Sequence, residues 1–126
     1  MVDRITEAVA VAQVATAYTV ATRNRDVAGL KQLFHENAVM SGYLGPDLMV
    51  GGPEPFYDHL SANEVSPDYQ SALLSVEVTG MTACARVAES NLFGMSFVND
   101  FHFVKTKDGW LITSKLFHAD PPEGQS

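Results

Sequence analysis

The chain changes its hydrophobic period once, and that change predicts its architecture. From residue 3 to residue 23 apolar side chains recur at helical spacing on two stripes. Ile5, Ala8, Val9, Ala12, Thr16 and Val20 form one; Val11, Val14, Ala15 and Tyr18 form the other. A helix apolar on more than one side is expected to be largely buried. Asn24-Arg25-Asp26 supplies a turn and a helix cap. The next helix is expected over 27–34, burying Val27, Leu30, Leu33 and Phe34. Ala38 to Leu44 and Leu48 to Val50 read as two short strands joined at Gly45-Pro46-Asp47. Gly51-Gly52-Pro53 then opens a third helix with Phe56, Tyr57 and Leu60 on its apolar side.

From Tyr69 the period becomes that of strands. Tyr69 to Thr79, Thr82 to Phe93, Phe97 to Thr106 and Trp110 to His118 are β-rich runs, separated by turns at Gly80-Met81, Gly94-Met95 and Asp108-Gly109. Helices first and an antiparallel meander afterwards predict an α+β fold. The expected architecture is a curved antiparallel sheet closed by the N-terminal helices into a cone. It forms one domain over residues 1–120, with a disordered tail at 121–126. A cone of this size holds a ligand.

Side chains on a strand alternate between faces, so a polar residue on an apolar face is informative. In the strand after Thr82, the face Ala83, Ala85, Val87 continues into Glu89, Asn91 and Phe93. A carboxylate at Glu89 then needs partners or a raised pKa, which makes it a candidate acid or base. In the last hairpin, a two-residue Asp108-Gly109 turn sets Lys107 opposite Trp110, Phe103 opposite Ser114, Phe101 opposite Leu116 and Asn99 opposite His118. Phe97, Phe101, Phe103, Trp110, Ile112 and Leu116 then share the core face. A three-residue loop instead pairs Asp100 with Leu116 and gathers Asp100 and His102 beside Ser114 and His118, with the phenylalanines outside. His118 stays on the Trp110–Ile112 face in either register. It is the leading candidate for proton transfer, since imidazole titrates near neutral pH.

Composition excludes several classes. Hydrophobic residues make up 46% of the 126 and charged residues 18%, the balance of a folded globular chain. The net charge of −7 repels phosphate backbones, so nucleic acid is not an expected partner. No apolar run reaches bilayer length, and the N-terminal residues lack a secretory pattern; no membrane partner and a cytoplasmic location are expected. The single cysteine, Cys84, rules out an internal disulfide and is expected to pack as a small hydrophobe. No histidine pair has ligand spacing on one helix, so neither metal nor other cofactor is expected. His35 and His59 read as cap or surface residues.

The order of elements carries a resemblance. Tyr18, then Asp26 opening a second helix, then Leu33-Phe34-His35-Glu36-Asn37-Ala38 leading into a strand resembles the first half of the nuclear transport factor 2-like superfamily, which includes ketosteroid isomerases and polyketide cyclases. The second half is similar to the branch named for lumazine binding. There the stretches are Ser41-Gly42-Tyr43-Leu44-Gly45, Ala85-Arg86-Val87-Ala88-Glu89 with Asn91, Asn99-Asp100-Phe101, and Trp110-Leu111-Ile112 with Lys115-Leu116-Phe117-His118. The resemblance spans nearly the whole chain and is specific for fold more than for activity. It implies an oxyanion-hole hydroxyl at Tyr18. It also implies an aspartate base on the first strand, where this chain has Gly42, so isomerase activity is not carried over. A homodimer through the outer sheet face is implied, with Tyr43 and Phe117 expected on that face.

The first function expected is therefore binding of a small, largely apolar, ring-shaped molecule. Phe34, Met40, Phe56, Phe101 and Trp110 would form the walls, and Tyr18, Glu89, Asn91, Asn99 and His118 the directional contacts. The alternatives are a cofactor-independent isomerase, cyclase or dehydratase using His118 or Glu89 with Tyr18, and a dimeric interaction protein with a vestigial pocket.

Overall fold

A computed structural model describes residues 3–121. Helix α1 (Arg4–Arg23) begins where the Asp3 carboxylate accepts from the Ile5 amide at 3.1 Å, satisfying a free N-terminal donor. Its buried side chains are Glu7, Val11, Ala15, Tyr18, Ala21 and Thr22. Only the Val11–Tyr18 stripe is therefore inward. The expectation of a helix buried on both stripes is corrected: Ile5, Val9 and Val20 are exposed. The reason is that α1 lies on one face of the sheet and nothing covers its other side among the described residues.

Helix α2 (Val27–Leu33) is capped by Asp26, whose carboxylate accepts from the Gly29 amide at 2.9 Å. It stops one residue earlier than expected, because Phe34 is already extended and opens β1 (Phe34–Leu44). Strand β2 (Asp47–Gly51) and helix α3 (Glu54–Ala62) follow. Arg25 ties the α1–α2 corner to the end of α3, donating to the Leu60 carbonyl at 3.0 Å and the Ser61 carbonyl at 2.7 Å. The remaining strands are β3 (Gln70–Thr79), β4 (Thr82–Leu92), β5 (Met95–Thr106) and β6 (Gly109–Asp120). They form one curved, unclosed sheet in the order β2-β1-β6-β5-β4-β3. All neighbours are antiparallel except β1 and β6, which pair in parallel and put the last strand in the middle of the sheet. The tail expectation lies outside the described residues apart from Pro121, which is exposed.

The last hairpin departs from the favoured register throughout, and beyond a bulge it takes up the alternative one, with Asp100 opposite Leu116. The loop is Lys107-Asp108, with Thr106 paired to Gly109; the Thr106 hydroxyl accepts from the Asp108 amide at 3.1 Å and donates to the Gly109 carbonyl at 2.9 Å. Phe103 consequently pairs with Ile112. A bulge at Thr113 then shifts the ladder, so His102 pairs with Ser114, Phe101 with Lys115 and Asn99 with Phe117. An extra residue in one strand reverses the faces of everything beyond it. Phe97, Phe101 and Phe103 stay inside as expected. On β6, however, Trp110, Ile112, Lys115, Phe117 and Ala119 are the buried residues. Leu116 and His118 are outside, and Phe117, expected outside, is inside.

Gly42 pairs with Phe117 across the parallel β1–β6 ladder at a φ of 152°. A Cβ there would lie 1.8 Å from the Phe117 carbonyl oxygen and 2.9 Å from its nitrogen. Phe117 backbone therefore fills the space that any side chain at this position would need. Gly45, by contrast, has a φ of 58° in open space. Gly42→Ala is expected to cost about 3 kcal/mol through strain and overpacking, and Gly45→Ala only about 1 kcal/mol. Urea unfolding of the two variants checks this; equal costs would place the two strands further apart than described.

Candidate functional site

The inner face of β4 runs Ala83, Ala85, Val87, Glu89, as its alternation predicts, and Glu89 is only 3% exposed. A carboxylate taken out of water needs donors, and three side chains supply them. Tyr69 Oη donates at 2.6 Å, Asn99 Nδ2 at 2.6 Å and Tyr18 Oη at 3.2 Å. Each arrives from a different element: the residue before β3, β5 and α1. Asn99 reaches Glu89 because Val87 and Asn99 are paired, which puts the amide one pleat away from the carboxylate on the same face.

The second charge of the site is Lys115. It is 2% exposed, and its Nζ donates to Tyr18 Oη at 2.7 Å. Tyr18 is therefore a bridge, accepting from the ammonium and donating to the carboxylate. Around Nζ stand four aromatic rings, with centroids at 4.2 Å (Phe56), 5.0 Å (Tyr18), 5.7 Å (Phe117) and 6.0 Å (Phe97). Such faces attract a cation and replace part of its lost hydration. Burial nonetheless lowers the Lys115 pKa to about 8, with the negative Glu89 opposing the fall. Burial and the Glu89 charge raise Tyr18 well above its usual value, and the same two causes raise Tyr69. Both phenols remain protonated donors at neutral pH.

The expected site residues divide cleanly. Tyr18, Glu89 and Asn99 are joined by hydrogen bonds. Phe101 packs edge-on against Tyr18 at 4.8 Å and pairs with Lys115; Met40 pairs with Lys115 from the other side; Phe56 covers the ammonium. The rest lie elsewhere. His118 is on the outer face, its side chain 61% exposed, with Nε2 2.9 Å from Asp120 Oδ1. The expectation that it shares the Trp110–Ile112 face is corrected by the Thr113 bulge. Asn91, at a φ of 58°, leaves the inner face and donates to the Asp68 carbonyl at 3.0 Å. Trp110 gives its indole N–H to Glu7 at 2.6 Å, and Lys105 binds the same carboxylate at 2.5 Å. Its role there is to anchor the start of α1. Phe34 packs edge-on against Tyr57.

The alternative Asp100–His102 grouping does face Ser114 and His118, but on the outside, where Asp100 pairs with Arg86 at 2.8 Å. Cys84 also lies on that face, half-buried between Glu77 and His102, and is not a core residue. His35 accepts from the Asn37 amide, and His59 packs edge-on against Phe93.

Sequence reasoning missed Lys115, Tyr69, Phe97 and Phe117 as members of one group. The lone lysine inside the run Trp110 to His118 was the available signal. The hollow expected from sequence is closed at this point, since Phe56 rests on the ammonium. Two open recesses lie apart from the cluster: one of about 380 Å³ bordered by Cys84, His102 and Thr113, and one of about 330 Å³ bordered by Phe34, Tyr57 and Lys31. Among the described residues, no group of three or more histidine, cysteine or acidic side chains is arranged to hold a metal ion. Among the described residues, no helix is long and apolar enough to cross a membrane.

Three helices laid on one face of a six-stranded curved, unclosed sheet make the nuclear transport factor 2-like fold. A protein of that fold and of unknown function from Shewanella baltica OS155 superposes with a TM-score of 0.87 at 22% identity, over 96% of this chain and 99% of that one. Another from Methylobacillus flagellatus KT gives 0.80 at 27% identity, over 88% and 90%. A ketosteroid isomerase-like protein from Erwinia carotovora atroseptica SCRI1043 gives 0.69 at 18% identity, over 92% and 98%. The sequence pattern of the family described as "Putative lumazine-binding" matches residues 6–118, and the chain belongs to that family. No curated protein matches it.

The lowered Lys115 pKa has a consequence for stability. An unfolded lysine keeps its proton to about pH 10. Between pH 8 and 10 the unfolded chain therefore binds more protons than the folded one, and stability rises with pH. The desolvation cost is fully present below pH 8. Parent stability relative to Lys115→Met is expected to climb by up to about 3 kcal/mol from pH 7 to pH 10. Paired thermal melts across that range check it; a flat difference would mean the amine titrates normally.

Proposed function

We propose that this chain binds a small, flat, uncharged heterocycle on the floor formed by Lys115 and Asn99, with Phe56 as its cover. The observation that carries this reading is a pair of buried groups with unused hydrogen-bonding capacity. Asn99 is 0% exposed and its Oδ1 has no partner. Lys115 Nζ has Tyr18 Oη as its one hydrogen-bond acceptor among the described residues. Leaving a buried acceptor unpaired costs about 1–3 kcal/mol, which a ligand N–H would recover. A ligand carbonyl would accept from Lys115. An acceptor and a donor held side by side on a flat ring describe a lactam or ureide edge. Glu89 and Lys115 offset each other in charge, so a neutral ligand suits the floor. The family's description points to lumazine, a pteridine-dione with such edges, and Phe56 would have to swing off the ammonium to admit it.

A cofactor-independent isomerase, cyclase or dehydratase would rest on Glu89 and Tyr18, because His118 lies outside. Tyr18 is already committed at both ends, to Lys115 and to Glu89. Steadying a developing oxyanion would require breaking its bond to the carboxylate, and this favours binding. A homodimer through the outer sheet face is also our reading. Val39, Tyr43, Val98 and Leu116 are exposed there on neighbouring strands, and apolar side chains of this kind suit a subunit contact. Sedimentation of Leu116→Arg is expected to show a monomer where the parent shows a dimer; a monomeric parent would end this reading.

Titration of lumazine and other lactam-bearing bicycles, followed by their fluorescence, tests the binding proposal. Saturable binding is expected, weakened about tenfold by Asn99→Leu. Silence across the set with a folded parent would refute it.

A further inference from the structure

We infer that Lys115 is a masked amine nucleophile that captures small aromatic aldehydes as a reversible imine. The inference rests on the same floor being the ligand site, and it adds the class of compound and the bond formed. Three features of geometry support it. The amine sits at the base of a ring cage and is not paired directly with a carboxylate, so its lone pair is not locked into an ion pair. Its hydrogen-bond partner is the Tyr18 hydroxyl at 2.7 Å, which in turn donates to Glu89 at 3.2 Å. That is a continuous route for a proton between nitrogen and a buried carboxylate. Of the four rings around Nζ, Tyr18, Phe97 and Phe117 are buried, while Phe56 alone is partly exposed. The way from solvent to the amine therefore passes Phe56, in the first turn of α3.

The chemistry balances without another reactant. Neutral Nζ adds to the carbonyl carbon, forming an N–C bond as the C=O π bond breaks, and one proton passes from nitrogen to the new alkoxide. The carbinolamine then loses its oxygen as water, which takes the second nitrogen proton with it, and a C=N bond remains. Tyr18 Oη, accepting from Nζ and donating to Glu89, can pass a nitrogen proton toward the carboxylate and so free the lone pair for attack. An amine with a pKa of about 8 has a far larger neutral fraction near that pH than exposed lysines do, and this supports the geometric case. Aromatic rings around the nitrogen favour an aryl aldehyde over an aliphatic one.

The test uses the full chain with benzaldehyde and sodium borohydride at pH 8, the hydride reducing any imine to a stable secondary amine. Peptide mapping is expected to find the benzyl group on Lys115, at a rate on the order of tenfold above Lys31 and Lys107. Tyr18→Phe should slow labelling at Lys115 while leaving the exposed lysines unchanged, a split that a merely structural tyrosine would not give. Phe56→Ala should accelerate it, with Phe56→Leu serving if alanine impairs folding. A Lys115 left unlabelled in the parent and in the folded Phe56 variant overturns the inference. Lumazine binding without a Lys115 adduct removes this inference alone. A Lys115 adduct without lumazine binding instead removes the heterocycle reading.

Discussion

Two opposite charges buried in one apolar interior constrain the rest of this structure. Glu89 and Lys115 are each almost completely removed from water. Neither could be held there unaided, since an isolated buried ion costs several kcal/mol. The molecule joins them through Tyr18 and surrounds each with a different chemistry, hydroxyl and amide donors for the carboxylate and ring faces for the ammonium. The path of α1 follows from this. Its inward stripe must bring Tyr18 between β4 and β6, so the small residue Ala15 sits one turn earlier and lets the helix approach the sheet. The exposed stripe of Ile5, Val9 and Val20 carries no such duty.

Most of the element order was legible from periodicity, because the shift from helical to strand spacing is visible without tertiary knowledge. The inward position of Glu89 was legible too, since β4 alternates without a break up to that residue. Phe101 was placed inside by gathering the large residues of the last hairpin on one face. Lys115 was not legible, and one residue explains why. Thr113 is an extra position in β6, and its own side chain looks like any strand threonine; its hydroxyl donates to the His102 carbonyl. Once it bulges out, the side chains after it exchange faces. Simple alternation from Trp110 then predicts His118 inside and Lys115 outside, the reverse of what the fold does. Asn91 failed for a related reason: its left-handed backbone bends the strand end away from the face it had been following.

Gly42 separates fold from activity in a physical way. The shared architecture extends to a ketosteroid isomerase-like neighbour, yet the backbone of Phe117 occupies the position a first-strand carboxylate would need. The absence of that base is thus built into how closely β1 and β6 approach. Replacing the glycine by an acid would not restore a proton acceptor. The buried charges of this chain lie instead on β4 and β6.

The parallel pairing of β1 with β6 makes the final strand the keystone of the sheet. During synthesis, β1–β2 and β3–β5 can each form as separate hairpin units, but they stay unjoined until β6 emerges. That strand brings the ammonium with it. The half-built interior therefore holds a carboxylate without its counter-charge, and burying it waits on β6. A polypeptide lacking β6 would lose the seam between two sub-sheets instead of fraying at a margin.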